Sequence, residues 1–156
     1  IHIPAGFTRL LSTKLLYQYQ TTPQPGLDGR TRILPQGRAL GGGSSVNALI
    51  YVRGQREDYD EWAQLGCHGW SYDEVLSYFK RAEDNDRLDN TYHGTGGPLG
   101  VSDLRQICDL SRGFVRAAQQ AGIPFTSDFN GERQTGVGFN QITARNFLLA
   151  SRRARG

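Results

Sequence analysis

Residues 37–54 read GRALGGGSSVNALIYVRG, and the reading of this stretch decides the fold. Three consecutive glycines, Gly41, Gly42 and Gly43, run into Ser44, Ser45, Val46 and Asn47. Glycine weakens helices and strands alike, so three in a row need a backbone reason. A Gly-rich turn that opens a helix aims several N–H groups at one point. The helix N-terminus adds partial positive charge there, which suits an anion such as phosphate. Missing side chains also let a flat ring approach the backbone. On this reading SSVNALIYV opens as a helix, with Ser44 and Ser45 as caps or donors. A plain tight turn capped by serine accounts for the same glycines without a ligand. Two nucleotide-binding patterns fail in detail. No lysine follows the glycines as G-x-x-x-x-G-K-[ST] requires, and G-x-G-x-x-G would need glycine where Val46 stands.

The rest of the chain is loop-rich. Of 156 residues, 20 are glycine, and the hydrophobic fraction is 37%, which argues for many turns and few long elements. The net charge of +3 comes from Arg152, Arg153 and Arg155. Without them basic and acidic side chains balance, so no nucleic-acid surface is expected. No apolar run is long enough for a transmembrane helix. The N-terminus has neither an initiator Met nor a signal-peptide layout and reads as the middle of a longer protein. Cys67 and Cys108 have no zinc or CxxC spacing and are expected to be free, buried or half-buried thiols.

Local patterns predict the elements. Residues 7–16 suit a short helix. LYQYQT (16–21) alternates like a half-buried strand, and TRILP (31–35) returns as its hairpin partner across a turn-rich loop. REDYDEWAQLG (56–66) is a short helix ending at Gly66. SYDEVLSYFKRAED (71–84) is the clearest helix, with Ser71 and Glu74 as a capping box and Val75, Tyr78 and Phe79 near one face. LSRGFVRAAQQAG (110–122) is a further amphipathic helix, with Leu110, Phe114 and Ala118 aligned and Gly122 as the stop. TGVGFNQIT (135–143) resembles a late strand.

The flanks of the glycine run narrow its meaning. GRALGG, SSVN, YVRG and DYDEW together closely resemble the first signature of the glucose–methanol–choline (GMC) oxidoreductases, most strongly the choline-dehydrogenase-like branch. The matching residues are Gly37, Arg38, Leu40, Gly41, Gly42, Ser44, Ser45, Asn47, Tyr51, Arg53, Gly54, Asp58, Tyr59 and Trp62. YQYQTTPQPGLDGR, GWSYDEVLSYFKRAED, YHGTGGPLGVSD and DFNGERQTGVG also look like family segments.

The resemblance implies an α+β fold, a partial FAD-binding domain with short strands, several helices and long loops. It implies FAD as cofactor, a primary alcohol as substrate and a separate electron acceptor. Hydride passes to the flavin and an aldehyde is formed. Carried over by position, Ala39, Gly43, Asn47, Ala48, Leu49 and Ile50 contact FAD. No catalytic residue and no metal ligand are assigned. Gly43 stands where many relatives carry Ser or Thr, which drops a hydroxyl and keeps the backbone donor. Asn47 is singled out because its amide both donates and accepts, as recognition of a flavin edge requires.

The resemblance also implies a fragment. The family's GxGxxG unit would lie before Ile1 and its active-site His well after residue 156. Residues 1–145 are expected to be a piece of the FAD domain. Residues 146–156 are expected to be a divergent, disordered tail, such as a truncation or frame shift would leave. The alternative is a non-catalytic binding or interaction module of the same descent. The oligomeric state stays open, as does the compartment, cytoplasmic or membrane-peripheral.

Other chemistry-bearing residues have structural readings. His93, His68 and His2 lack metal or triad partners and are expected in structural roles. Glu57, Asp58, Asp60 and Glu61, beside Arg53 and Arg56, are expected to form a solvated, salt-bridged face. Trp62 and Trp70 are expected as core anchors.

Overall fold

The computed structural model describes residues 13–145, together with Arg9 and residues 148–149. Of the expected helix at 7–16 only Arg9 and residues 13–16 are described, and its expected end is not helical: residues 13–15 form a bend and turn and Leu16 opens a strand. His2 and nearly all of the expected tail lie outside the described residues.

The hairpin forms. Strand β1 (Leu16–Gln20) pairs antiparallel with β2 (Ile33–Gly37), Leu16 opposite Gly37 and Gln20 opposite Ile33. The return strand thus starts two residues later than the alternation suggests. Only Leu16 on β1 is buried. Tyr17 and Tyr19 share one face, as alternate strand residues must, and stack with ring centroids 5.7 Å apart. The expected half-burial fails: the glycine turn packs only against the Gly37 end of β2, and Tyr17, Tyr19, Ile33 and Leu34 stay exposed.

The helix expected after the glycine run does not form. Gly41 and Gly42 take φ of 88° and 53°, a left-handed geometry that cannot start an α-helix. The chain makes one short 3₁₀ turn, Gly42–Ser45. Asn47 Oδ1 then accepts the Leu49 N–H at 3.0 Å, an Asx turn that diverts the backbone from helix. Leu49 sits at φ 64° and is buried. The β-branched and aromatic residues that follow suit a strand. Strand β3 (Ile50–Tyr51) pairs antiparallel with β6 (Gln141–Ile142), the described remnant of the expected late strand.

The three later helices form where patterning puts them: α1 (Arg56–Gln64), α2 (Tyr72–Ala82) and α3 (Asp109–Gln120). Ser71 and Glu74 make the predicted capping box, with the Ser71 N–H donating to Glu74 Oε2 at 3.1 Å. Tyr59 of α1 and Tyr72 and Val75 of α2 build the core, with Leu76 and Phe79 packed against it. Tyr78 turns outward instead, 59% exposed. Trp62 and Trp70 meet edge to face at 5.7 Å but both stay exposed, so they are not core anchors. On α3 the expected face is wrong as well. Leu110 and Phe114 are exposed and Val115 is buried, because the described chain offers that helix only a narrow contact.

Helix α2 runs directly into β4 (Glu83–Asn85), which pairs in parallel with β5 (Leu99–Val101). The loop between them returns so closely that a side chain at Gly94 would strike the Lys80 carbonyl. Strands β7 (Ala144–Arg145) and β8 (Leu148–Leu149) close the described chain. Among the described residues no helix is long and apolar enough to cross a membrane. Cys67 and Cys108 are free and exposed rather than buried. Both follow or precede helix ends, where no core reaches them.

Candidate functional site

The site begins at the glycine turn. Ser44 Oγ donates to the Gly41 carbonyl at 2.6 Å and Ser45 Oγ to the Leu40 carbonyl at 2.6 Å. Both hydroxyls thus brace the turn and neither hydroxyl hydrogen is free for a ligand. Several backbone N–H groups point elsewhere. Those of Gly41, Gly43 and Ala48 have no hydrogen-bond partner among the described residues, and neither does Asn47 Nδ2. A Cβ built at Gly42 or Gly43 would meet nothing within 4 Å. The turn is therefore a wall of uncommitted donors beside open space, and it fits an anionic, flat cofactor laid against backbone. The donors act singly. A four-residue 3₁₀ turn carries no helix dipole worth invoking, so the expected dipole contribution is withdrawn.

The six residues carried over by resemblance lie close together. Ala39 is half-buried just before the turn, and Gly43, Asn47, Ala48 and Ile50 are exposed on it or just after it. Leu49 alone is buried, so only its backbone is available to a ligand. A separate polar cleft of about 500 Å³ lies beside Gly54, Arg56, Tyr72, Tyr92 and Arg133 and contains none of the six.

Behind the turn lies a buried ionic cluster that no local pattern announces. Arg53 Nη2 meets Glu83 Oε2 at 2.6 Å, and Nη1 donates to the Tyr92 carbonyl at 2.8 Å. The guanidinium also stands 5.1 Å over the Phe79 ring. His93 is fully buried between two carboxylates, its Nδ1 2.8 Å from Glu83 Oε1 and its Nε2 3.0 Å from Asp128 Oδ2. Asn85 Nδ2 donates to Glu83 Oε1 at 2.8 Å and to Gln141 Oε1 at 2.9 Å. Two cations and two anions balance, which is what permits the burial.

The pKa values follow. Burial alone lowers the His93 pKa, but hydrogen bonds to Asp128 and Glu83, and their charges, outweigh it and push it up to about 9. Burial alone raises Glu83 and Asp128, and their hydrogen bonds to His93 reverse this and hold both low.

The charged helix face is solvated as expected at Glu57, Asp58 and Glu61, and Arg53 is the residue that leaves it. Arg53 turns inward to Glu83, and Arg56 pairs with Asp73 of α2 at 2.9 Å. Asp58 caps α1 by accepting the Gln55 N–H at 2.7 Å, and Asp60 accepts the Tyr72 N–H at 2.9 Å. Helix capping and the second helix compete for these carboxylates and win. Among the described residues no group of side chains could hold a metal ion.

The family model described as GMC oxidoreductase matches residues 6–148. The chain belongs to the GMC oxidoreductase family. This GMC chain is 46% identical over 147 residues to the alcohol dehydrogenase [acceptor] of Pseudomonas putida, covering 93% of itself and 27% of that protein. It is 44% identical over 144 residues to the mitochondrial choline dehydrogenase of Mus musculus, covering 92% of itself and 24% of that enzyme. Among solved structures, pyridoxine 4-oxidase from Mesorbium loti superposes with a TM-score of 0.84 at 31% identity, over 93% of this chain and 29% of that one. An FAD-dependent oxidoreductase from Chaetomium thermophilum gives 0.80 at 29%, over 93% and 26%. The GMC chain thus spans about a quarter of the length of the relatives it matches. Its fold is the corresponding part of an α+β FAD-binding domain.

Proposed function

We propose that this chain forms one wall of the flavin site in an FAD-dependent oxidoreductase that converts an alcohol to an aldehyde, with a separate electron acceptor closing the cycle. Residues 1–145 are read as part of that enzyme's FAD domain. The observation that carries the reading is the turn at Gly41–Ala48, whose unpartnered N–H groups and Asn47 Nδ2 border open space within the family-matching segment.

In this reading Gly43 and Ala48 donate backbone N–H groups to the cofactor, and Asn47 donates from its amide while its oxygen holds the turn. Ala39 and Ile50 flank the cofactor, and Leu49 anchors the turn in the core. FAD, when bound, accepts the hydride from the alcohol carbon. This chain's part is to bind and orient the cofactor, and none of the six residues is a proton acceptor.

Gly43→Ala tests the assignment in the flavin-loaded protein. The added methyl meets no protein atom, so the fold should persist while the flavin-to-protein absorbance ratio drops. Parent-level flavin in both Gly43→Ala and Asn47→Ala would sink the reading.

A further inference from the structure

The buried His93 has a use that the flavin reading leaves unassigned. Its two ring nitrogens each face a carboxylate oxygen, at 2.8 Å on Glu83 and 3.0 Å on Asp128. Ionised carboxylates only accept, and a neutral imidazole has a single N–H to donate. The geometry is satisfied by the doubly protonated ring alone. Asn85 Nδ2 also lies 3.4 Å from Nδ1, but its hydrogens are spent on Glu83 and Gln141.

Each carboxylate leads onward to one short stretch of backbone. Asp128 takes His93 on Oδ2 and the Asn130 N–H on Oδ1 at 2.9 Å. Asn130 then brackets the end of β3, accepting the Arg53 N–H at 2.7 Å and donating to the Tyr51 carbonyl at 3.1 Å. Glu83 holds the Arg53 guanidinium, which also reaches the Tyr51 hydroxyl at 3.2 Å. Glu83 and Asp128 come from different parts of the chain, and both lines end on residues 51–53. Two residues earlier, the Leu49 carbonyl accepts the Thr143 N–H at 2.8 Å, and Leu49 holds the Asx turn of Asn47.

We propose that His93 is a positioning residue for the cofactor turn: as a doubly protonated ring it ties Glu83 to Asp128, and through Arg53 and Asn130 it locks β3 and so the placement of Asn47 and Ala48. The inference rests on the flavin reading for what the turn faces. It does not rest on it for the lock itself. The charged and titratable groups around the ring are Glu83 from β4, Asp128 from its loop, Tyr51 of β3 and Arg53 just beyond it. The Arg87–Asp103 pair joins at one remove through Gln141. As the pH rises, His93 changes charge before Tyr51, whose hydroxyl burial pushes up.

The test uses the flavin-loaded protein uniformly labelled with ¹⁵N, titrated from about pH 6 to about pH 10, a range spanning ordinary and raised histidine values. One ring is expected to keep both N–H signals near pH 8, where an ordinary histidine has lost more than about nine-tenths of its charge. The Tyr51 and Arg53 amide shifts should move with that ring. The visible circular dichroism of the flavin should change over the same range, and flavin release should quicken by about tenfold, the change worth about 1.4 kcal/mol. In His93→Gln, which keeps a donor and an acceptor but no charge, release should be fast and lose this pH step. A ring already neutral near pH 8, or amides of residues 51 and 53 that ignore its titration, would overturn the proposal. So would amides that follow the ring while the flavin signal stays flat, since His93 would then be structural only. A parent protein without flavin refutes the flavin reading, and the ring and amide titrations still decide whether the lock exists. The parent titration needs no variant, so a misfolded His93→Gln does not blunt the test.

Discussion

Arg53 and Glu83 form an ion pair buried on both sides, with Nη2 2.6 Å from Oε2 and side chains 3% and 0% exposed. Burying either alone would leave an uncompensated charge. Arg53→Met should therefore cost about 3–5 kcal/mol in urea unfolding. Arg53→Lys should recover little, because a single ammonium cannot reach Glu83, the Tyr92 carbonyl and Tyr51 together. A loss under about 1 kcal/mol in Arg53→Met would show that water reaches the pair.

Stability should depend on pH at both ends. The His93 pKa is about 9 in the folded chain, against an ordinary value of 6.5. A raised folded pKa stabilises fully below about 6.5 and is lost as pH rises through about 9. At about 1.4 kcal/mol per unit the loss is on the order of 3 kcal/mol. Glu83 and Asp128 are lowered, so their contribution is present above the ordinary carboxylate range and lost as pH falls through their folded values. Thermal unfolding should thus be highest at about pH 5–6.5, and His93→Gln should flatten the alkaline side.

Two glycines in the motif should behave oppositely on stability. A Cβ at Gly37 would collide with the Gly42 backbone, whereas one at Gly43 meets nothing within 4 Å. Gly37→Ala should lower stability by about 1–3 kcal/mol, the usual cost of forced overpacking. Gly43→Ala should stay within about 0.5 kcal/mol of the parent, as exposed substitutions do. Equal losses by denaturant titration would show that the turn, and not the space beside it, restricts Gly43.

Asn47 separates turn from ligand. Asn47→Asp keeps the oxygen that accepts the Leu49 N–H, so the turn should survive. In the proposed site it removes the amide donor and adds negative charge beside a flavin that becomes anionic on reduction. The flavin midpoint potential should fall in a redox titration. Asn47→Ala removes the Asx acceptor instead, so flavin occupancy should fall with a smaller change in potential. Unchanged potential and occupancy in both variants would make Asn47 a turn residue only.

The elements legible from sequence are those settled by neighbours within a few positions. The α2 helix is readable because Ser71 and Glu74 cap it and apolar residues recur on one side. The hairpin is readable because alternation brackets Pro23, Pro25 and the Asp28-Gly29 turn. The glycine signature located the candidate site. Its helix was misread, because left-handed φ at Gly41 and Gly42 and the Asn47 side chain together decide against helix. Glycine identity permits either outcome.

What the sequence by itself determined about this protein is the family, the glycine turn and the capped helices, because backbone propensity, capping and turn chemistry act over three to five residues. Only the tertiary structure decided which charges are buried and with whom. Arg53, Glu83, His93 and Asp128 are separated by 10 to 75 positions and share no period. Their meeting depends on α2 running straight into β4 and on the loop past Gly94 folding back onto it. An ion pair's worth is set by distance and dielectric, and both are properties of the assembled chain.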